Sequence, residues 1–599
     1  MAKKLPVIER HISGLLRVNA LLSNPEKYVG QVEEVGGWIK KIRPQKTLVF
    51  IDLNDGSSVD SLQVIVDEKS AGFEKIKSQS LVACVKVKGK LVKPEGRTQA
   101  IEMIIDGSND HSVEVLGTNE DPGKYPMGGV GLPVEHLRKF MHLRPRTNLI
   151  SAMARVRSQL AMATHQFFQE NGFYYIHTPI ITASDCEGAG EMFQVTTMIK
   201  KDDLKSIPVL EKEKEKIDYS KDFFGREASL TVSGQLAVEN YATALTNVYT
   251  FGPTFRAEKT KTVRHLNEFW MIEPEMCFAG LEEVLNCIES YIKYCINYAL
   301  LNFPEELKFF NEKYKRELKE AEKEAEAAEK AAKKPKKEKK EKPEKTEKKE
   351  GKTENPEECA EAKKECAEAK CEKKETNPET ESNETKATAP KEAKAPKAPK
   401  EPKEPKEKKA PAPAPPKLSS NFSDLIEYLQ KIVDSKFARL TYTEAVEYLM
   451  EVEKSGEHKF EESPYWGLDL SSEHERYICE KKVNGPVFLY NYPEEFKAFY
   501  MRINEDGKTV QNADLLLPFI GEVVGGSVRE ERLDKLTEAY KRKGLHAQDY
   551  EYYTDLRRYG SVPHGGFGVG FERLIMLITG IKNIREAIPY PREIGVCDC

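Results

Sequence analysis

Between residues 31 and 116 apolar and polar side chains alternate with a period of two, and turn residues interrupt the alternation. The pattern predicts five strands, at 31–43, 47–54 (TLVFIDLN), 61–67 (SLQVIVD), 82–92 (VACVKVKGKLV) and 99–105. Asn54-Asp55-Gly56-Ser57 and Lys93-Pro94-Glu95-Gly96 separate them, both of turn composition. A short helical stretch at 72–77 falls between the third and fourth strands, which predicts a small closed barrel of the oligonucleotide-binding (OB) type. Strand count alone would fit any small β-barrel. Gly and Pro crowd 117–141 (DPGKYPMGGVGLP within it), a segment that reads as a hinge. Beyond it the period changes to that of a helix at 148–169, and Gly172 follows as a terminator. Strand-like runs at 248–256, 266–276 and 514–523 then mix with helical patterns at 281–301, 425–433 and 442–453. That mixture predicts an α+β domain built on a mainly antiparallel sheet flanked by helices.

One segment breaks every period. From 321 to 417 there are 28 Lys and 24 Glu but no Val, Ile, Leu, Met, Phe, Tyr or Trp. Such a tract has nothing to bury against its ordering entropy, so most of 313–417 is expected to be disordered. Its lead-in, 312–334, has Glu–Lys spacings of three and four and predicts a solvated helix. The chain therefore divides into an N-terminal segment and barrel (1–116), the hinge (117–141), a first domain part (142–312), the insertion (313–417) and a second domain part (418–599).

Composition narrows the class. The charged fraction is 32%, yet 93 basic and 98 acidic residues leave a net charge of only −5. No run of about 18 apolar residues occurs, so no membrane partner is expected, and the N-terminus lacks the pattern of a secretory or transit segment. A cytoplasmic protein is the expectation. Eleven cysteines, most of them isolated, fit reduced thiols better than a disulfide framework.

Two stretches carry chemistry. In FRAEKTKTVRHLNEFWMIEPE (255–275) strand-like runs flank a loop holding Lys259, Lys261, Arg264 and His265, so cations gather at a hairpin tip, as a polyphosphate requires. In GGFGVGFERL (565–574) a glycine-rich strand runs into an apolar helix, with Arg573 at its start. Neither a Walker loop nor a dinucleotide fingerprint is present. Singly, these could be an exposed basic hairpin and a strand packed on a helix.

Together they resemble motifs 2 and 3 of the class II aminoacyl-tRNA synthetases, and GFYYIHTP (172–179) after the first long helix resembles motif 1 with its proline. The barrel resembles the anticodon-binding domain of the aspartyl, asparaginyl and lysyl subgroup. The resemblance implies that ATP is bound by Arg256, Glu258, Arg264, His265, Phe269, Glu522 and Arg573, with Arg256, Arg573 and Glu522 catalytic. It implies Asp514 and Glu522 as carboxylates for Mg2+. It implies homodimers joined through motif 1.

For the amino acid, Ser233 and Gln235 match the subgroup, while Gly234 and Val238 stand where aspartyl enzymes carry Pro and Lys. Glu239 offers an acceptor to an NH2 group and Arg529 a donor to an oxygen, so an amide satisfies both and an acid only one. Glu187 and Glu273 match acids that hold the α-ammonium. The pocket thus resembles the asparaginyl branch, implying ATP-dependent ligation of L-asparagine to tRNA(Asn) through an asparaginyl-adenylate. On the barrel, Phe50 matches the aromatic that stacks on the central anticodon base, and Arg43 and Gln63 match readers of base edges. An aspartyl or non-discriminating synthetase, and a non-catalytic RNA-binding relative, are the alternatives.

Overall fold

In the first strands the expected alternation becomes an interior. The computed structural model describes residues 3–96, 99–129, 131–186, 192–200, 206–332 and 423–598. β1 (Val32–Pro44), β2 (Leu48–Asn54), β3 (Leu62–Asp67), β4 (Cys84–Val92) and β5 (Glu102–Ile105) send Val35, Ile39, Val49, Ile51, Val64, Val87 and Met103 into one closed core. β1 pairs with both β2 and β4, β3 runs parallel to β5, and β5 pairs with β4, which closes a five-stranded barrel. The helix Phe73–Lys77 plugs it with Phe73 and Ile76. A sixth strand not expected from the pattern, β6 (Ser112–Gly117), adds to the outer edge of β4.

The second sheet is built from β7 (Tyr174–Tyr175), β10 (Asn247–Phe255), β11 (Glu268–Cys277), β12 (Ala438–Thr441), β13 (Val487–Tyr490), β14 (Asn512–Leu517), β15 (Gly521–Val528) and β16 (His564–Gly570). A separate ribbon pairs β8 (Ile181–Thr182) with β9 (Ser229–Leu230). The main order is β12-β13-β14-β15-β16-β11-β10-β7, antiparallel from β13 to β10 with a parallel strand at each edge. Helices Asn148–Glu170, Leu281–Asn302 and Phe571–Thr579 share one core with this sheet. There Phe168 stacks on Tyr249 with ring centroids 4.7 Å apart, and Thr164 meets the Tyr291 hydroxyl at 2.8 Å. Gly172, with φ of +81°, turns the chain after Asn171 ends the first of these helices.

Two expectations change. The run 514–523 is a hairpin: the chain turns at 518–520, where Phe519 has φ of +72°, and Asp514 and Glu522 fall on neighbouring strands. The lead-in at 312–334 is helical to Ala332 and largely exposed from Lys319 to Glu324, as expected, but the helix starts earlier, at Pro304, and its Leu307, Phe310 and Tyr314 are buried in the core at spacings of three and four. The expected disorder of the Lys/Glu tract falls almost wholly on 333–422, outside the described residues. Among the described residues no helix is long and apolar enough to cross a membrane.

The segment after the barrel is packed. Leu137 and Met127 join Ile150 in a small apolar cluster, and the fully buried Arg144 donates to the carbonyls of Arg585 (3.1 Å), Ile588 (2.6 Å) and Pro589 (2.9 Å). Arg144→Met leaves those carbonyls without a donor and should destabilise the sheet domain by about 3 kcal/mol. A lower urea midpoint of that domain is the expected result, and an unmoved midpoint would refute it.

Candidate active site

β10 and β11 lie in register from Asn247↔Met276 to Phe255↔Glu268, so the residues between them form a loop at the open end of the hairpin. That loop is tied down from the C-terminal side. Asn267 donates its amide to the carbonyls of Arg256 (2.7 Å) and Glu258 (2.9 Å), and Arg585 donates to the carbonyl of Thr262 (3.0 Å). Arg256, Glu258, Arg264 and His265 are thereby held at the rim of a cavity of about 480 Å³. Phe269, on β11, lies below them, with the Arg256 guanidinium 5.5 Å from its ring centre. Arg573, at the start of the helix after β16, donates to the backbone oxygen (3.0 Å) and the carboxylate (3.3 Å) of Glu522. Burial, then the adjacent Arg573, pushes the His265 imidazole below its ordinary value.

Asp514 on β14 and Glu522 on β15 also line the cavity. Lys497 pairs with Asp514 at 2.9 Å. Between the two carboxylates lies Gly525, where a Cβ would stand 3.4 Å from Asp514 Oδ1 and 3.7 Å from Glu522 Oε1. A space bounded by two hard oxygen donors and open to a polyphosphate suits a magnesium ion, which keeps waters and phosphate oxygens in its shell. Among the described residues no three His, Cys, Asp or Glu come together as a metal site of their own.

The inner end of the cavity is acidic and amide-bearing. Ser233 Oγ donates to Glu273 Oε1, and the Gly234 N–H donates to Glu273 Oε2 at 3.0 Å. Glu275, two residues along the same strand face, takes both Arg529 Nε (3.2 Å) and Nη2, and Arg529 also lies 5.2 Å from the Tyr500 ring centre. Gln235 lines the cavity beside them.

All the residues expected here from the sequence line this one cavity except the loop lysines Lys259 and Lys261, and Glu187 and Glu239. Glu187 lies outside the described residues. Glu239 is fully buried behind Gln235, its oxygens occupied by Gln235, Tyr553, Arg557 and His564, so the expected direct contact with a substrate amide is revised. The reason is helical geometry: Glu239 sits four residues on from Gln235, one turn further from the opening.

On the barrel, Phe50 projects from β2 between Val49 and Ile51, which are both buried, so it lies on the outer face and is not part of the core. The Arg43 guanidinium is 5.5 Å from its ring centre. Gln63 accepts from Arg43 Nη2 at 2.9 Å and donates to Glu102 at 2.8 Å.

Several polar residues were not singled out from the sequence: Glu275, Tyr500, Arg557, His564, Glu102 and Glu475. Glu275 was legible, since strand period two puts it on the face of Glu273. Glu475, on the helix Ser472–Tyr477, faces Glu522, Asp514, Arg264 and Arg573.

Comparison with known proteins agrees with this geometry. The model of "tRNA synthetases class II (D, K and N)" matches residues 134–392 and 404–594, and an "OB-fold nucleic acid binding domain" matches 34–108. The chain is 42% identical to an asparagine--tRNA ligase of Clostridium tetani over 97% of its length and 98% of that protein. It is 40% identical to the asparagine--tRNA ligase of Cytophaga hutchinsonii, covering 96% and 98%. Among solved structures, asparaginyl-tRNA synthetase of Pyrococcus horikoshii complexed with asparaginyl-adenylate superposes with a TM-score of 0.65 at 22% identity, covering 99% of this chain and all of that one.

Burial, with Glu522 and Asp514 beside it, pushes the Glu475 carboxyl up to about 8. An acid raised in the folded state destabilises that state increasingly as pH climbs from its ordinary value toward the raised one. In nucleotide-free protein with chelator, Glu475→Gln should therefore add on the order of 2 kcal/mol at pH 8 and less at pH 6. Thermal midpoints at the two pH values check this, and an equal gain at both would count against it.

Proposed function

The chain belongs to the class II tRNA synthetases of the D, K and N group, and from that premise we propose that it ligates L-asparagine to tRNA(Asn) with ATP through an asparaginyl-adenylate. The observation that carries this reading is one cavity with a cationic rim and an inner end where a buried arginine stands among carboxylates. ATP takes the rim. Phe269 and Arg573 hold the adenine between ring and guanidinium, and Glu258 accepts from its amino edge. Arg264 and His265 face the β- and γ-phosphates. Arg256 neutralises the charge that develops on the α-phosphoryl oxygens as a carboxylate oxygen of asparagine attacks phosphorus and pyrophosphate leaves. A ribose hydroxyl of the tRNA end then attacks the adenylate carbonyl, and AMP leaves.

Asparagine takes the inner end. Ser233, Gln235 and Glu273 form its acceptor side, and Arg529 donates to the side-chain oxygen. Glu275, which shares Arg529, supplies the acceptor for the amide NH2 that Glu239 was expected to provide. Aspartate would set a second carboxylate against Glu275. A site whose buried polar groups are paired by one substrate and not by its analogue discriminates strongly. Asp514 and Glu522 are the residues that would hold magnesium, which when bound neutralises phosphate charge and leaves positioning to the protein. The anticodon loop lies on the barrel face of Arg43, Phe50 and Gln63. Exposed Met162, Tyr174, Tyr175 and Ile181 surround the motif 1 edge of the sheet and support a homodimer there, working in the cytoplasm.

Pyrophosphate exchange should depend on asparagine, with aspartate supporting it roughly 10³-fold less well or worse. Exchange with aspartate alone would overturn the assignment. Phe50→Ala should raise the KM for tRNA in charging by roughly 5- to 100-fold, as expected for loss of one base stack, while exchange without tRNA stays unchanged. A fall in both would place Phe50 in the fold instead.

A further inference from the structure

The cluster behind the pocket remains unassigned by the reaction. Glu239 Oε1 accepts from Gln235 Nε2 (3.0 Å) and the Tyr553 hydroxyl (2.9 Å), and Oε2 accepts from Arg557 Nη2 (3.1 Å) and His564 Nε2 (2.9 Å). Burial alone would raise the Glu239 carboxyl, but Arg557, His564 and Arg529 outweigh it and hold it well below the ordinary range. Four donors surround this carboxylate, and an ionised carboxylate can only accept.

That restriction reaches the cavity through Gln235. A planar amide has a donor end and an acceptor end, and here the donor end must face Glu239. What Gln235 offers on the side of the cavity is then its carbonyl oxygen, in a lining that also holds the Glu273 carboxylate fixed by Ser233 and Gly234. Two acceptors lining one cavity suit a cationic group.

We propose that Glu239 is a positioning residue: anchored by Arg557, His564 and Tyr553, it sets the sense of the Gln235 amide so that its oxygen receives the α-ammonium of the amino acid. Arg557 and His564 thus serve amino-acid binding without touching the substrate. The inference rests on the amino-acid site described above and deepens it. It changes the role of Glu239 from a reader of the side-chain amide to a reader, at second hand, of the ammonium.

Glu239→Gln tests it. A glutamine there can donate to Gln235, which lets the Gln235 amide turn its NH2 toward the ammonium. In pyrophosphate exchange the KM for asparagine should rise about 10- to 100-fold, the loss expected for one hydrogen bond to a charged group, with the KM for ATP unmoved. Inhibition by succinamic acid, which is asparagine without its α-amino group, should be unchanged. The reciprocal variant Gln235→Glu/Glu239→Gln restores an acceptor to the cavity and should recover most of the asparagine KM. Equal losses for asparagine and succinamic acid, or no recovery in the double variant, would overturn the inference and leave Glu239 a purely structural charge. Wild-type protein is the control for the underlying reading. If it shows no asparagine-dependent exchange, the site assignment fails and this inference with it; normal wild-type exchange with an unmoved KM in Glu239→Gln removes the inference alone.

Discussion

A guanidinium buried at the inner end of the cavity sets the terms for the strands around it. Arg529 is 3% exposed, and an unpaired cation at that depth would be destabilising by several kcal/mol. Its partners come from separate parts of the chain: Glu275 from β11, Ser527 from its own strand at 2.5 Å, and the Tyr500 ring from the loop before β14. Strand order is what makes this feasible, because β15, β16 and β11 are neighbours. It also explains one glycine of β16. Opposite Glu275 lies Gly566, where a Cβ would stand 2.3 Å from Glu275 Oε1 and from the Pro274 carbonyl. Glycine at 566 is thus the steric consequence of an ion pair packed against a backbone.

Charge is organised differently at the two ends of the cavity. At the inner end each carboxylate has a fixed donor, so that end is rigid before substrate arrives. At the rim Arg256, Arg264 and Arg573 stand near Glu522, whose carboxyl burial would raise but Arg573 and Lys497 hold below its ordinary value. Fixed guanidinium groups at the rim suit a polyanion, while a prepaired inner end favours one neutral side chain over a charged one. Holding the rim loop through Asn267 and Arg585 keeps these cations close together without burying them.

Periodicity made most of the architecture legible. Strands with one buried face and helices such as Leu281–Asn302 follow from it nearly to the residue, because burial of one face is what the pattern encodes. The hairpin at 514–523 was not legible, since an apolar turn of Leu517-Pro518-Phe519-Ile520 keeps the pattern continuous. Nor was the placement of Glu239. Its partners Tyr553, Arg557 and His564 lie more than three hundred residues away in sequence, and only the fold says which groups occupy a carboxylate. The start of the helix Pro304–Ala332 was not legible because its charged half masks the spacing of Leu307, Phe310 and Tyr314.

That helix also shows how an uncommitted tract can be carried by an ordered enzyme. Asn311 donates to Asp424 Oδ2 (3.0 Å) and accepts from the Leu425 N–H (3.0 Å), and Lys315 pairs with Asp424 at 2.6 Å. Asp424 in turn caps the helix Leu425–Asp434 through the N–H groups of Ile426 and Glu427. The described chain on the two sides of 333–422 is therefore joined through Asn311, Lys315 and Asp424. The entropy of closing a loop grows only with the logarithm of its length, so once the two ends are pinned together, extra residues between them add little to the free energy of folding. The described chain on either side of 333–422 thereby keeps the geometry that its buried charges require.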